Sequence, residues 1–184
     1  DITYGEFALA TNKEFISKIQ EKKKIDLALE SMTVKDVPAM YWTAASLGKW
    51  VKVSGIAATL KYKSRIKALI QRVEKLSPSY FHSAIHRYWG AYYSINPSYA
   101  GGDLKRARKE FETSISKSPE YLGSKVLMAE AYCSKVGDKE RFKKLLNEVI
   151  EEPLKEGSPL APENYWEKVK AKKLLKNMGD YFKE

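Results

Sequence analysis

Cysteine is almost missing: Cys133 is the single thiol in a chain of 184 residues. One thiol forbids an intrachain disulfide and cannot build a metal cluster. Lying between apolar neighbours in "LMAEAYCSKVG", it reads as a buried structural residue, since reactivity needs exposure and a lowered pKa. Alternating β-branched runs long enough for a sheet are missing too. So is an apolar run of the roughly 18 residues that a membrane span needs. The nearest candidate, from Trp42 to Leu60, is broken by Lys49 and Lys52. The sequence holds no Gly-x-Gly-x-x-Gly, Walker loop or nucleophile elbow. With no acid-base or nucleophile constellation either, an enzyme is the least supported class, and neither a catalytic residue nor a cofactor is expected. No signal peptide opens the chain, and Asp1 rather than Met leads it, as expected of a trimmed or mature fragment.

Acids are scarce in one long region. From Val37 to Gly102 there are nine Lys or Arg residues against one acid, Glu74, and the same stretch holds 11 of the 22 aromatics. The whole chain carries a formal charge of +10. Such a stretch suits nucleic acid, anionic lipid or an acidic ligand, or it is simply a set of solvated helix faces. The Lys22–Lys24 run reads as a solvated face. With 43% hydrophobic and 30% charged residues, the composition is that of a globular protein able to bury a core.

What is present follows a helical period. Helices are expected from Tyr4 to Met32, with Phe7, Phe15, Ile19, Ile25 and Leu29 on apolar faces, and from Tyr41 to Leu60. A third runs from Lys63 to Leu76, where Ile66, Leu69, Ile70 and Val73 form one stripe. Others run from Tyr80 to Ile95, Asp103 to Lys117, Leu122 to Val136, Lys139 to Glu151 and Asn164 to Lys183. Pro78, Pro119 and Pro153 each follow an amphipathic helix, which proline cannot continue. Gly101 and Gly102 allow a tight turn, and Asp103 is a good N-cap for the helix after it. The fold class is therefore all-α.

Self-similarity near 34 residues marks tetratricopeptide-like helix hairpins. Trp50, Val53, Ser54 and Ala57, then Ile66, Ile70, Val73 and Pro78, fit that spacing. Trp89, Gly90 and Tyr93, then Ala107, Phe111, Ser114 and Pro119, fit it again with an insertion at the Gly101 loop. Met128, Ala129 and Tyr132, then Arg141, Leu145 and Glu148, make a weaker third copy. The expectation is one domain, 1–184, with repeats near 45–78, 82–119 and 122–153, a capping helix over 164–183, and a curved array of antiparallel hairpins. An irregular helical bundle is the alternative. Solenoids of this kind are mostly binding scaffolds.

His82 and His86 share a helix face at zinc-ligand spacing, but a site needs a third ligand, so no metal is expected. Asp103 competes with any anion at the helix N-terminus beside Gly101 and Gly102. Trp89 and Tyr93 occupy core positions of the repeat. Trp42, Tyr92 and Tyr99 are freer and are the candidates for a partner-binding face, with Lys49 and Arg87 at its edge.

The segments "YWTAASLGKWVKVSG", "SPSYFHSAIHRYWGAYYS", "GGDLKRARKEFETSISKSPEYL", "LMAEAYCSKVGDKERFKKLLNEVI" and "KAKKLLKNMGDYF" together resemble the T-component of TRAP (tripartite ATP-independent periplasmic) transporters. The resemblance runs from about Tyr41 to Phe182. It is most specific at Tyr41 to Ser46 and at the Gly-Gly-Asp loop before the Ala-Arg-x-x-Phe helix. It implies a helical, non-enzymatic periplasmic protein of cryptic tetratricopeptide-like repeats that assists a solute-binding P-component and binds a small ligand. It also implies a lipoprotein anchor and first helices ahead of this chain, with membrane contact only through that anchor. A homo-oligomer, a trimer first of all, is the expected assembly, and no nucleic acid is expected as partner. The rival readings are a generic repeat scaffold for an unrelated protein and a basic nucleic-acid-binding helical protein.

Overall fold

In the computed structural model, residues 9–21 and 25–182 are described. The expected start of the first helix at Tyr4, its Phe7, the Lys22–Lys24 run and the Lys183 end of the last helix lie outside them. All regular structure among the described residues is helical. The chain divides into two compact units, Asp1–Tyr80 and Phe81–Glu184.

In the first unit, α1 (Lys13–Gln20) starts where the Asn12 side chain accepts from the Phe15 amide at 3.0 Å. The short α2 (Ile25–Leu29) follows, and among the described residues the stretch expected as one long helix is broken where α1 ends at Gln20 with Glu21 as its C-cap. Thr33 and Asp36 form a capping box around a 3-10 turn, and Pro38 sits in the first turn of α3 (Val37–Ser54), where its missing N–H costs nothing. A tight turn at Gly55 leads into α4 (Ile56–Leu76). Met40, Ala44, Leu47 and Val51 line the buried face of α3, while Ile66, Leu69, Ile70 and Val73 line that of α4. The expected stripe is therefore core. Thr43 is tolerated inside because its hydroxyl bonds to the Ala39 carbonyl at 2.7 Å.

The helix expected from Tyr41 to Leu60 does not exist as one piece. Gly55 has φ +88° and ψ −173°, a region closed to residues with a Cβ. It ends α3 early and hands Ala57 to the next helix. Trp50 and Val53, which match the spacing of repeat core positions, consequently stand exposed.

From Phe81 on, α5 (Tyr80–Ile95) belongs to the second unit, and its Phe81, His82 and Ser83 have left-handed φ of 45°, 52° and 58°. After it come α6 (Leu104–Lys117), α7 (Gly123–Met128), α8 (Ser134–Val136), α9 (Lys139–Glu151) and α10 (Ala161–Lys176). A π-helical turn, Ala129–Cys133, joins α7 to α8, so the expected helix from Leu122 to Val136 carries one widened turn. The α6 face expected inside is there: Ala107, Phe111 and Ser114 are buried and Ile115 packs partly against them. Val126, Met128, Phe142, Leu146, Val149, Ala171 and Leu174 complete this core. Gly90 lets α5 cross α6 closely, because a Cβ there would meet the Phe111 ring at 2.7 Å.

Candidate functional site

Trp42 and Lys49 lie on α3, seven residues and so about two turns apart on one helix face. Trp42 is 46% exposed and makes an edge contact with Tyr41, their rings 5.1 Å apart. Lys49 is exposed. The two are thus brought together on one surface of the first unit.

Tyr92 and Tyr99 belong to the second unit, Tyr92 on α5 and Tyr99 in the 3-10 turn just before the Gly-Gly-Asp loop. Tyr92 is half-buried in an aromatic group on α5: its ring meets Trp89 edge-on at 5.5 Å and stacks on Tyr88 at 6.1 Å. Its hydroxyl reaches the Ala100 carbonyl at 3.5 Å, a long and weak bond. Burial raises the Tyr88 phenol above its ordinary pKa, and neighbouring Tyr92 adds to the rise. Trp89 is buried, and Tyr93 stacks on it, with the Arg106 guanidinium over the Tyr93 ring at 4.4 Å from its centre.

The loop after α5 folds back tightly. Gly101 has φ +92°, and the Asp103 amide donates to the Tyr93 carbonyl at 3.0 Å. A Cβ on Gly102 would lie 1.8 Å from the Asn96 carbonyl oxygen. Close approach, rather than backbone angle, is therefore what demands glycine at 102. The Asp103 carboxylate accepts from the Lys105 and Arg106 amides, both at 3.0 Å. The helix N-terminus already has its acceptor. The outcome is a rigid loop that holds Tyr99 out to solvent, 92% exposed.

Arg87 is not at an exposed edge, contrary to the sequence-based expectation. It is 6% exposed. Its guanidinium donates to the Phe81 carbonyl at 2.9 Å and to the His82 carbonyl, and it lies 3.9 Å from the centre of the Tyr121 ring. A planar fork of donors suits two adjacent carbonyls that a left-handed turn turns to one side. Tyr121 is in turn stacked on His82 and donates its hydroxyl to Glu163 at 2.7 Å. Burial raises the Tyr121 phenol, Arg87 opposes the rise, and Glu163 adds to it. Arg87 therefore holds the start of α5 in place.

His82 and His86 go to separate carboxylates, His82 to Glu120 at 3.1 Å and His86 to Glu110 at 2.7 Å. They do not converge on one point. Among the described residues no group of three or more His, Cys, Asp or Glu side chains is placed to hold a metal ion. Cys133 is fully buried, and burial, helped by Asp138, pushes its thiol up to about 11. It is poorly suited to nucleophilic chemistry.

Exposed apolar residues outside the expected binding face lie at the Gly55 turn, namely Val53, Ile56 and Leu60, and on α10, namely Tyr165 and Trp166; of these, Val53 fits repeat spacing and the other four fit no expected site. The signal was available: apolar residues on both faces of α10 and around residues 53–60 exceed what one buried stripe can use.

The family model described as TRAP transporter T-component matches residues 2–182 of the chain. No curated protein matches it.

Proposed function

The chain belongs to the TRAP transporter T-component family, and we propose that it serves its transporter by binding the solute-binding P-component through exposed aromatic residues. The family match over nearly the whole chain carries this reading. Family membership makes the protein an accessory component of a TRAP transporter on the periplasmic side, in association with the other components. The finer step, to the P-component and to particular residues, rests on surface chemistry. Trp42 on the first unit and Tyr99 on the second are aromatic and solvent-facing, and Trp and Tyr are the residues that most often anchor protein interfaces. Lys49 flanks Trp42. Tyr92 acts indirectly, by bracing the loop that presents Tyr99. Arg87 plays no part in the contact, since a partner cannot reach it.

Calorimetric titration with the P-component of the same transporter tests the reading. Wild type binds, and Trp42→Ala and Tyr99→Ala, made separately because they lie on different units, are each expected to weaken binding by about tenfold, the loss expected of a truncated aromatic anchor. Both positions are exposed enough for each variant to keep its helical circular dichroism. Absence of wild-type binding removes the partner; a variant that binds as wild type does removes its residue from the contact.

A further inference from the structure

The Gly55 turn joins the ends of α3 and α4 into a tip whose outer side is apolar. Val53 is 83% exposed, Ile56 80% and Leu60 72%. The tip is well braced: the Thr59 hydroxyl donates to the Gly55 carbonyl at 3.1 Å, and the Thr59 amide donates to the same carbonyl at 3.1 Å. Behind it, the Trp50 and Tyr62 rings meet edge-on at 5.6 Å, with the Lys61 ammonium 5.3 Å from the Tyr62 ring centre. Lys49, Lys52 and Lys61 are exposed around this pair. From Val37 to Val73 the chain has no Asp or Glu at all.

We propose that the α3–α4 tip inserts into the interfacial layer of an anionic lipid bilayer. Counted from Gly55, Ile56 and Val53 come first along the two helices, Leu60 and Trp50 lie five residues back and Tyr62 seven, and Lys52, Lys49 and Lys61 stand among them. Apolar, aromatic and cationic groups, the three kinds that a bilayer surface takes up, are thus gathered at one end of the hairpin. Trp and Tyr favour the headgroup level of a membrane, and lysines near an anionic surface are drawn to it, with stems long enough to keep the ammonium in water. The scale also agrees: the four residues from Lys49 to Val53 rise about 6 Å along a helix, which matches the depth to which interfacial segments bury. No helix among the described residues is long and apolar enough to cross a membrane, so the tip lies in the surface layer rather than spanning it. A protein partner fits less well. Lysine is depleted at protein interfaces, Val and Leu are under-represented among their energetic anchors, and the uniformly positive rim has no acid to pair across a self-association. Nucleic acid would satisfy the lysines and gain nothing from three exposed aliphatics.

Co-sedimentation with vesicles tests the proposal without the transporter partner. The chain is expected to sediment with vesicles of phosphatidylglycerol and phosphatidylcholine, and far less with phosphatidylcholine alone. Replacing the exposed aliphatics, Val53→Ser with Ile56→Ser and Leu60→Ser, should lower the affinity about a hundredfold or more, with the helical spectrum unchanged. Lys52→Gln with Lys61→Gln should lower it about fivefold per lysine. The proposal is overturned if wild type ignores the anionic vesicles. It is equally overturned if the serine variant binds them as wild type does, which would be charge adsorption alone. A third contrary result is a self-associated wild type that the serine variant dissociates in sedimentation velocity, which would make the tip a contact between copies.

Discussion

Arg87 and Glu167 illustrate how single residues acquire roles that composition does not announce. Arg87 has the residue type of an interface anchor, yet its fork holds two carbonyls of a left-handed turn. Positive φ at Phe81, His82 and Ser83 disfavours residues with side chains by about 1–3 kcal/mol each, and the buried guanidinium holds the turn together with the Ser83–Ser118 hydroxyl pair and the Ser114 hydroxyl on the Ser83 carbonyl. Glu167 on α10 is half-buried; burial raises its carboxyl pKa, Lys170 draws it down, and Glu163 raises it again. The folded chain thus holds this proton more tightly than the unfolded chain. Its stabilising contribution is complete below the unfolded carboxylate pKa and is lost as the pH rises through the raised folded value. Glu167→Gln, which is neutral at every pH, should therefore be more stable than wild type in urea melts at neutral pH. The advantage should vanish near about pH 4, the ordinary carboxylate range. A gain of equal size at both pH values would contradict the assignment to ionisation. None of this is legible in the sequence, because it depends on which groups the fold brings beside Arg87 and Glu167.

At the scale of helices, local chemistry was a good guide wherever a strong stop or cap was present. Asp103 and Asp138 cap α6 and α9, and both helices run as their periodicity indicates. Pro78 and Pro119 fall just beyond the C-caps of α4 and α6. Gly55 is the exception, a lone glycine in an apolar run with no proline beside it that nevertheless ends α3. Gly48 and Gly55 make a controlled comparison, since a Cβ at either meets nothing within 4 Å. Gly48 sits inside α3, so Gly48→Ala should stabilise by about 0.5–1 kcal/mol through chain entropy. Gly55, at φ +88°, should instead lose about 1–3 kcal/mol on Gly55→Ala. Denaturant melts of the two variants should move in opposite directions. A shift of the same sign would mean that the turn relaxes into another shape.

For the whole molecule, the division at Phe81 has a direct consequence. The second unit owns a continuous core around Phe111 and Phe142, both fully buried, in about a hundred residues, an ordinary domain size. A fragment spanning 81–184 should fold alone, with a helical spectrum and a cooperative melt. Phe142→Ala should cost about 3–5 kcal/mol in the fragment as in the full chain. A non-cooperative fragment melt would show that this core needs the first unit. The net charge of +10 acts at the same scale, by steering acidic partners and anionic surfaces toward the chain.

By itself the sequence determined the all-α class, the apolar stripes of α4 and α6, the caps and stops of the punctuated helices, and the family. Those depend on periodicity, on proline and on Asp at N-caps, which act over a few residues. Only the tertiary structure decided that Arg87 is buried, that Val53 and Trp50 are exposed, and that Gly102 is needed for a close approach to Asn96. Burial is a property of what packs against a residue, and a spacing rule names a helix face without saying which face meets a neighbour. At the Gly55 turn one backbone angle redirected the chain, and the side chains that repeat spacing would place inside were left facing solvent.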